Sequence, residues 1–359
     1  MTFTQHTIAL LFLSALLVHF EIAEASDDAV AVVEGAALIK AAPRHRDTYA
    51  NPGESLSHGS FGVRVPFMLR RLGTYFRDGR NAPEQQTPDT AQLRSYVKDG
   101  PPTVTWIGHS TLLVQMGGLT FLTDPIWSNI PSPLPPLGPR RFVPPAVAIN
   151  ELPTIDFVMI SHNHYDHLDL PTLRALARRN PQTLFLVPLG NAALLQRHGI
   201  DNVRELDWGE SVGLAGLTVH CLPAQHWSKR SLTDTNKALW SSWAVLGERR
   251  RFYHAGDTGY FPGFKQIAEY LGHFDLAAVP IGAYAPRQMM RASHMNPEEA
   301  VSAALDLDAK TAVAMHFGTF DLSDEPLNQP PWRFKQAAVA QGLGEQQAWV
   351  LKIGETRSF

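Results

Sequence analysis

The chain has 359 residues, 44% of them hydrophobic, with 31 Lys plus Arg against 34 Asp plus Glu and a formal net charge of −3. This length and apolar fraction suit one large domain or two modest ones and exclude wholesale disorder, and the balanced charge excludes a global basic field that would gather nucleic acid or anionic lipid. The single cysteine, Cys221, excludes an internal disulfide and a cysteine-rich metal site.

At the N-terminus an apolar run from Ile8 to Phe20 is followed by Ala23-Glu24-Ala25, a small-x-small pattern. Residues 1–25 therefore read as a signal peptide, and the protein is expected to be exported, periplasmic or secreted, with or without membrane association. The segment Met1–Thr7 carries no Lys or Arg, which keeps a retained anchor as the alternative. Residues 26–100 read as an irregular lead-in packed on the main domain. Within it, Val65 to Phe76 has the spacing of an amphipathic helix, with Phe67, Leu69, Leu72 and Phe76 apolar and Arg70, Arg71 and Arg77 basic. Its apolar stripe is expected to pack on the main domain, or, with the loop Ile126 to Leu137, to form an apolar membrane-facing patch.

Residues 101–359 carry the main domain. Thr103–Ile107, Leu112–Met116 and Leu119–Thr123 are short β-rich runs, and Gly117-Gly118 is a hairpin turn between the last two. After a proline-rich loop, strands at Phe157–Ile160, Leu184–Val187, Leu217–Leu222, Trp243–Leu246, Arg251–His254, Leu276–Val279 and Thr311–Met315 are interspersed with helices. The helices fit Pro171–Arg179, Asn191–His198, Phe261–Leu271, Pro297–Leu305 and Pro331–Gln341, with Asn296 capping the fourth. Strands first, then strands alternating with helices, point to an α/β layered domain.

Histidine is the unusual count, at 15. The run Ser161-His162-Asn163-His164-Tyr165-Asp166-His167 directly follows an apolar strand and places three imidazoles and one carboxylate within six residues. Residues two apart in extended chain face the same way, so His162 and His164 can converge on one cation, and a turn then lets Asp166 and His167 face a second. Imidazole nitrogen and carboxylate oxygen are ligands that zinc takes. Three later strand ends offer further donors: His226, Asp257 and His316. A lone histidine at a strand end is more often a packed residue, but joined to the first run the set closes two sites.

The ordered set His162-x-His164-x-Asp166-His167, His226, Asp257 and His316 resembles the metallo-β-lactamase superfamily, which implies an αββα sandwich with two Zn2+ at one edge. The strings Trp106–Thr111, Phe121–Ile126, Gly138–Phe142, Asn236–Trp240, Pro280–Tyr284 and His294–Ala300 resemble the branch of N-acyl-phosphatidylethanolamine-hydrolysing phospholipases D. The resemblance implies one zinc on His162, His164 and His226, another on Asp166, His167 and His316, and Asp257 bridging them. A hydroxide held between the metals would attack phosphorus in line, giving phosphatidic acid and an N-acylethanolamine. The resemblance makes Asp257 and His294 the catalytic positions, the latter near the lipid head group.

The partner implied is a phospholipid at a membrane surface, with no nucleic acid, and a homodimer is allowed. His109 is expected either to orient a ligand or to stabilise a turn, and His254 to be a core histidine. Tyr165 is expected to line the cleft or pack in its loop. Tyr284 and the pair Arg140-Arg141 are expected either to reach phosphoryl oxygens or to serve the surface. Two other readings compete: a binuclear hydrolase of another ester (a soluble phosphodiester, a lactone or a β-lactam), and a non-catalytic metal-binding protein.

Overall fold

The computed structural model describes residues 32–34, 39–53, 59–73, 81–96 and 100–359. The expected signal peptide lies outside the described residues. In chain order the strands are β1 (Val32–Glu34), β2 (Arg44–His45), β3 (Thr48–Tyr49), β4 (Thr103–Gly108), β5 (Thr111–Met116), β6 (Leu119–Thr123), β7 (Phe157–Met159), β8 (Leu184–Pro188), β9 (Val203–Leu206), β10 (Glu210–Leu214), β11 (Leu217–Leu222), β12 (Ser242–Leu246), β13 (Arg251–His254), β14 (Leu276–Pro280), β15 (Ala312–Met315), β16 (Ala348–Trp349) and β17 (Thr356–Ser358). The α-helices are α1 (Phe61–Gly73), α2 (Thr90–Arg94), α3 (Leu170–Arg179), α4 (Ala192–Gln196), α5 (Gly263–Leu271), α6 (Arg287–Met290), α7 (Pro297–Asp306) and α8 (Gln329–Gln341).

Two sheets flanked by helices carry the fold. One sheet runs β17-β4-β5-β6-β7-β8-β9 and the other β1-β10-β11-β12-β13-β14-β15-β16. Gly117 and Gly118 both have positive φ, 60° and 85°, as the turn joining β5 to β6 requires. Each sheet is antiparallel at first and parallel at its far end, from β6 onward in one and from β13 onward in the other. The crossovers between parallel strands put helices on the outer faces.

The alternation of side chains along β6, β7 and β8 divides the core in two. Leu122, Val158, Phe185 and Val187 pack outward in a cluster with Leu173 and Leu176 of α3 and Leu195 of α4. The opposite parity faces the second sheet. There Phe121 stacks on Phe157 at 4.5 Å between ring centroids and meets Phe252 of β13 at 5.9 Å. The strands are apolar on both faces because both faces are covered.

Helix α7 starts as its cap predicts. Asn296 Oδ1 accepts from the Glu299 amide at 2.8 Å, and Glu299 Oε2 accepts from the Asn296 amide at 3.1 Å. Strands β9 and β10 were not expected from the sequence, because charged residues such as Arg204, Glu205 and Glu210 interrupt their apolar pattern. Within the lead-in, Val32–Glu34 pairs with β10 and so adds a strand to one sheet. Helix α1 begins four residues before the expected helix; of the expected stripe Phe67 and Leu69 are described and fall on different sides, and Phe76 lies outside the described residues. Phe67 is buried, but Leu69 is 63% exposed. Among the described residues no helix is long and apolar enough to cross a membrane.

Phe121 links the sheets at their centre, so Phe121→Ala leaves a cavity between them. The expected cost is about 3–5 kcal/mol of unfolding free energy, read by urea denaturation.

Candidate metal centre

Six strands deliver the site, each by the loop that follows its last residue. His109 follows β4, Asp124 follows β6, His162 to His167 follow β7, His226 follows β11, Asp257 follows β13 and His316 follows β15. Three of these loops turn through left-handed backbone on non-glycine residues: His109 (φ 54°), Asp124 (φ 37°) and His316 (φ 58°). Such conformations persist only where the surroundings over-determine them. Three buried indoles contribute to that. Trp106 Nε1 donates to His109 O at 2.8 Å, Trp243 Nε1 to Ile160 O at 3.0 Å and Trp240 Nε1 to Ala224 O at 2.9 Å. Gly256 adds close approach: its φ is 59°, and a Cβ there would sit 2.5 Å from Ser161 Cβ. Only glycine lets the Asp257 loop close on the His162 loop.

The imidazoles form two groups. His162 Nε2 lies 2.8 Å from His164 Nδ1, which lies 3.2 Å from His226 Nε2. In the second group Asp166 Oδ2 lies 3.4 Å from His167 Nε2 and 3.6 Å from His316 Nε2. Asp257 stands between the groups. Its Oδ2 is 3.2 Å from His167 Nε2, 3.1 Å from His316 Nε2 and 4.0 Å from His226 Nε2. All seven residues singled out in the sequence therefore meet in one place.

Asp124, which the sequence reading did not single out, organises them. Its buried carboxylate accepts from the Ser161 amide (2.6 Å), Ser161 Oγ (2.7 Å), His167 Nδ1 (2.8 Å) and His254 Nε2 (3.1 Å). Because Ser161 Oγ donates to Asp124, it accepts from His162 Nδ1 at 2.9 Å. His226 Nδ1 donates to Ser293 O at 3.0 Å. In each case one ring nitrogen is committed to a protein acceptor and Nε2 is turned into the site. His109 Nε2 reaches Asp166 Oδ2 at 3.0 Å, so of its two expected roles it takes the orienting one. The available sign of Asp124 was its place after a β-strand, repeated in the histidine-bearing loops.

Several inward-facing atoms are buried with no hydrogen-bond partner among the described residues: His167 Nε2, His316 Nε2, Asp257 Oδ1 and His294 Nδ1. Unpaired buried polar atoms are costly, and so many in one cluster fit a cation that takes them as ligands. The donor set of nitrogen and carboxylate oxygen, without sulfur, suits zinc and related transition metals.

Charge in the metal-free site follows from burial and neighbours. Burial pushes His162 and His226 well below the usual imidazole range, and His164 down to about 4. Burial also opposes charge on His316 and His167, but carboxylates outweigh it. Asp257 and Asp166 raise His316 to about 9, and Asp257, Asp166 and Asp124 raise His167. Burial alone would raise Asp166 and Asp257; the histidines around them, His167 foremost, hold both well below the usual carboxylate range.

A domain model described as the β-lactamase superfamily domain matches residues 120–317. The chain belongs to the metallo-β-lactamase superfamily. Within that superfamily it falls in the branch resembling N-acyl-phosphatidylethanolamine-hydrolysing phospholipases D. It is 45% identical over 228 residues to N-acyl-phosphatidylethanolamine-hydrolyzing phospholipase D 1 of Caenorhabditis elegans, a match covering 61% of this chain and 64% of that protein. The matched region thus spans less than two thirds of that relative's length. It is 30% identical over 256 residues to a UPF0173 metal-dependent hydrolase of Methanopyrus kandleri, covering 70% of this chain and 98% of the other. Igni18, a metallo hydrolase of Ignicoccus hospitalis, superposes with a TM-score of 0.56 at 26% identity, covering 72% of this chain and 99% of that one.

Other expected contacts fall differently. The Tyr165 hydroxyl donates to Arg230 O at 2.8 Å and its ring lines the cleft. The Tyr284 hydroxyl is turned to Gln329 Oε1 and not to the cluster. Arg141 is engaged by its own loop, donating to Ile126 O at 2.8 Å and Ser128 O at 3.1 Å, so it serves packing. His294 sits at the mouth, with Nδ1 3.9 Å from Asp257 Oδ2. Its carbonyl accepts from Arg287 Nη1 at 2.8 Å, and the same guanidinium pairs with Glu299.

Two outcomes are expected. Asp124→Ala strands His167 and His254 in a buried site and is expected to cost about 3–5 kcal/mol, read as a lower Tm and a lower metal content. A metal needs neutral imidazole, while metal-free His316 and His167 hold protons at neutral pH. Zinc loading near pH 7 is therefore expected to release protons, and affinity to rise with pH until His316 is deprotonated near 9. Calorimetry in buffers of different ionisation enthalpy reads the release, and loading with no net proton release contradicts the charge assignment.

Proposed function

We propose that the protein is a zinc-dependent phosphodiesterase of phospholipase D type, which hydrolyses N-acyl-phosphatidylethanolamine or a related phospholipid to phosphatidic acid and an N-acylethanolamine. The observation that carries the reading is the position of Asp257, one carboxylate within about 4 Å of histidines from both groups, at the base of an open cleft. In this reading His162, His164 and His226 would hold one zinc and Asp166, His167 and His316 the other, with Asp257 available to either. When bound, two such ions supply an activated water at neutral pH and positive charge beside the phosphoryl and leaving oxygens.

The chain's own residues do the rest. The cleft, of about 330 Å³, has Phe67, Trp227, Met289, Met290 and Leu322 on its walls. These side chains exclude water from the reacting centre and suit acyl chains entering beside the head group. Trp227 also packs edge-on against His164, with ring centroids 4.4 Å apart. Burial lowers His294 to about 4, so its imidazole is neutral at pH 7 and has an N–H to donate to a phosphoryl oxygen. The likeness to the C. elegans N-acyl-phosphatidylethanolamine-hydrolyzing phospholipase D supports the substrate class.

The test compares vesicles containing N-acyl-phosphatidylethanolamine with a soluble bis-aryl phosphodiester and a β-lactam. The wild type is expected to release phosphatidic acid from the vesicles, to lose activity with chelator and to regain it with zinc. Asp257→Asn is expected to lower turnover by more than ~100-fold. Turnover of the soluble substrates alone would sink the phospholipase reading, and full activity of Asp257→Asn would sink the two-metal one.

A further inference from the structure

The loop that carries His226 leaves the sheet early. The pairing of β11 with β12 ends at Leu222 opposite Ser242, and Pro223 follows, with no N–H to continue the ladder. The backbone of His226 is held instead by one side chain of the lead-in. Its N–H donates to Asn51 Oδ1 at 2.9 Å, and its carbonyl accepts from Asn51 Nδ2 at 2.9 Å. Among the described residues neither group has another partner. A primary amide offers a donor and an acceptor side by side in one plane, so Asn51 meets His226 as the opposite residue of an antiparallel strand would. Asn51 is itself held. Its Oδ1 also accepts from Nε1 of the buried Trp240 at 3.1 Å, and Pro52 biases its backbone toward extended conformations. Two residues earlier, the Tyr49 amide donates to Asn236 O at 2.8 Å. Asn236 bonds the same loop beyond His226, donating to Ser228 O at 2.8 Å and accepting from the Ser228 amide at 3.1 Å.

We propose that Asn51 is a positioning residue for the metal centre, which fixes the backbone of His226 so that Nε2 stays aimed at the site it shares with His162 and His164. The proposal deepens the ligand assignment made above and rests on it. The His226 ring has one other anchor, Nδ1 to Ser293 O at 3.0 Å, and its Nε2 lies 3.2 Å from His164 Nδ1. A bond at Nδ1 sets how the ring is turned. Where the ring starts from is set by the backbone, and the backbone is bonded to Asn51. The effect belongs to one group of ligands. His167 is held by Asp124, Asp166 by His109, and the His316 amide by His109 O at 3.1 Å, and none of these contacts includes Asn51. Asn51 also lies outside residues 120–317, so the lead-in completes a site whose ligands all come from the superfamily domain.

The test titrates the metal-free full chain with zinc against a chromophoric chelator, and repeats it with cobalt(II) to read the visible spectrum. The wild type is expected to take up two ions. Asn51→Ala is expected to weaken one of them about 10–100-fold, as loss of a group supporting a ligand does, to leave the other unchanged, and to alter the cobalt spectrum at the weakened equivalent only. Asn51→Asp keeps the acceptor for the His226 N–H but loses the donor to its carbonyl. It is expected to weaken the same ion, and it decides the matter should Asn51→Ala fail to fold. Ile39→Ala, a cavity in the buried part of the lead-in away from His226, is expected to lower thermal melting with both affinities intact. Unchanged affinities in the Asn51 variants overturn the proposal, as does equal weakening of both ions. An equal loss of one ion in Ile39→Ala overturns it too, since the effect would then follow stability alone. A wild type that holds two ions but leaves N-acyl-phosphatidylethanolamine uncut removes the phospholipase reading and leaves the role of Asn51 standing. A wild type that takes up no zinc removes the ligand assignment and this role with it.

Discussion

The buried carboxylate of Asp124 is the interaction on which the site depends. Alone, a carboxylate at zero exposure would be driven to protonate. Here two imidazoles, a hydroxyl and an amide surround it, and His167 and His254 outweigh the effect of burial, so it stays ionised. One charge thereby joins the ends of β6, β7 and β13. It also sets ring orientation, directly at His167 and through Ser161 at His162. Both rings then present Nε2 to the centre, which free imidazoles would not do uniformly.

Holding that geometry requires a stiff support. The loops at His109, Asp124 and His316 occupy backbone conformations that side chains disfavour, each directly after a β-strand. The stacked sheets meet at Phe121, Phe157 and Phe252, and the indoles of Trp106, Trp240 and Trp243 each hold a carbonyl near a ligand loop. Large aromatic side chains do two things at once here: they fill the core, and their single N–H fixes backbone next to the chemistry. Stability of the sandwich and precision of the site are the same contacts.

The cleft above the cluster is asymmetric in character. Its base is ionic and its walls are apolar, with Phe67 supplied by α1 and Met290 by α6. Asp321 and Asp324 hold α1 by its arginines. The same ion pairs that fasten the helix decide which of its faces is left to solvent.

The sequence by itself determined most of the histidine and carboxylate cluster and the layered fold. His162 to His167 is legible because its donors are close in the chain, and β-strand spacing says which way they face. His226, Asp257 and His316 are legible by their place after apolar strands. Asp124 was not, because its partners Ser161, His167 and His254 lie 37, 43 and 130 positions away. A carboxylate after a strand has no local sign of what it will meet. Strands β9 and β10, the engagement of Arg141 with its own loop and the turning of Tyr284 to Gln329 were hidden for the same reason. Helix α1 is the clearest case: its periodicity announced an amphipathic helix, but which face turns inward is set by Asp321 and Asp324, some 250 residues further on. Local spacing determines what chemistry a segment carries, and only long-range packing decides where it is aimed.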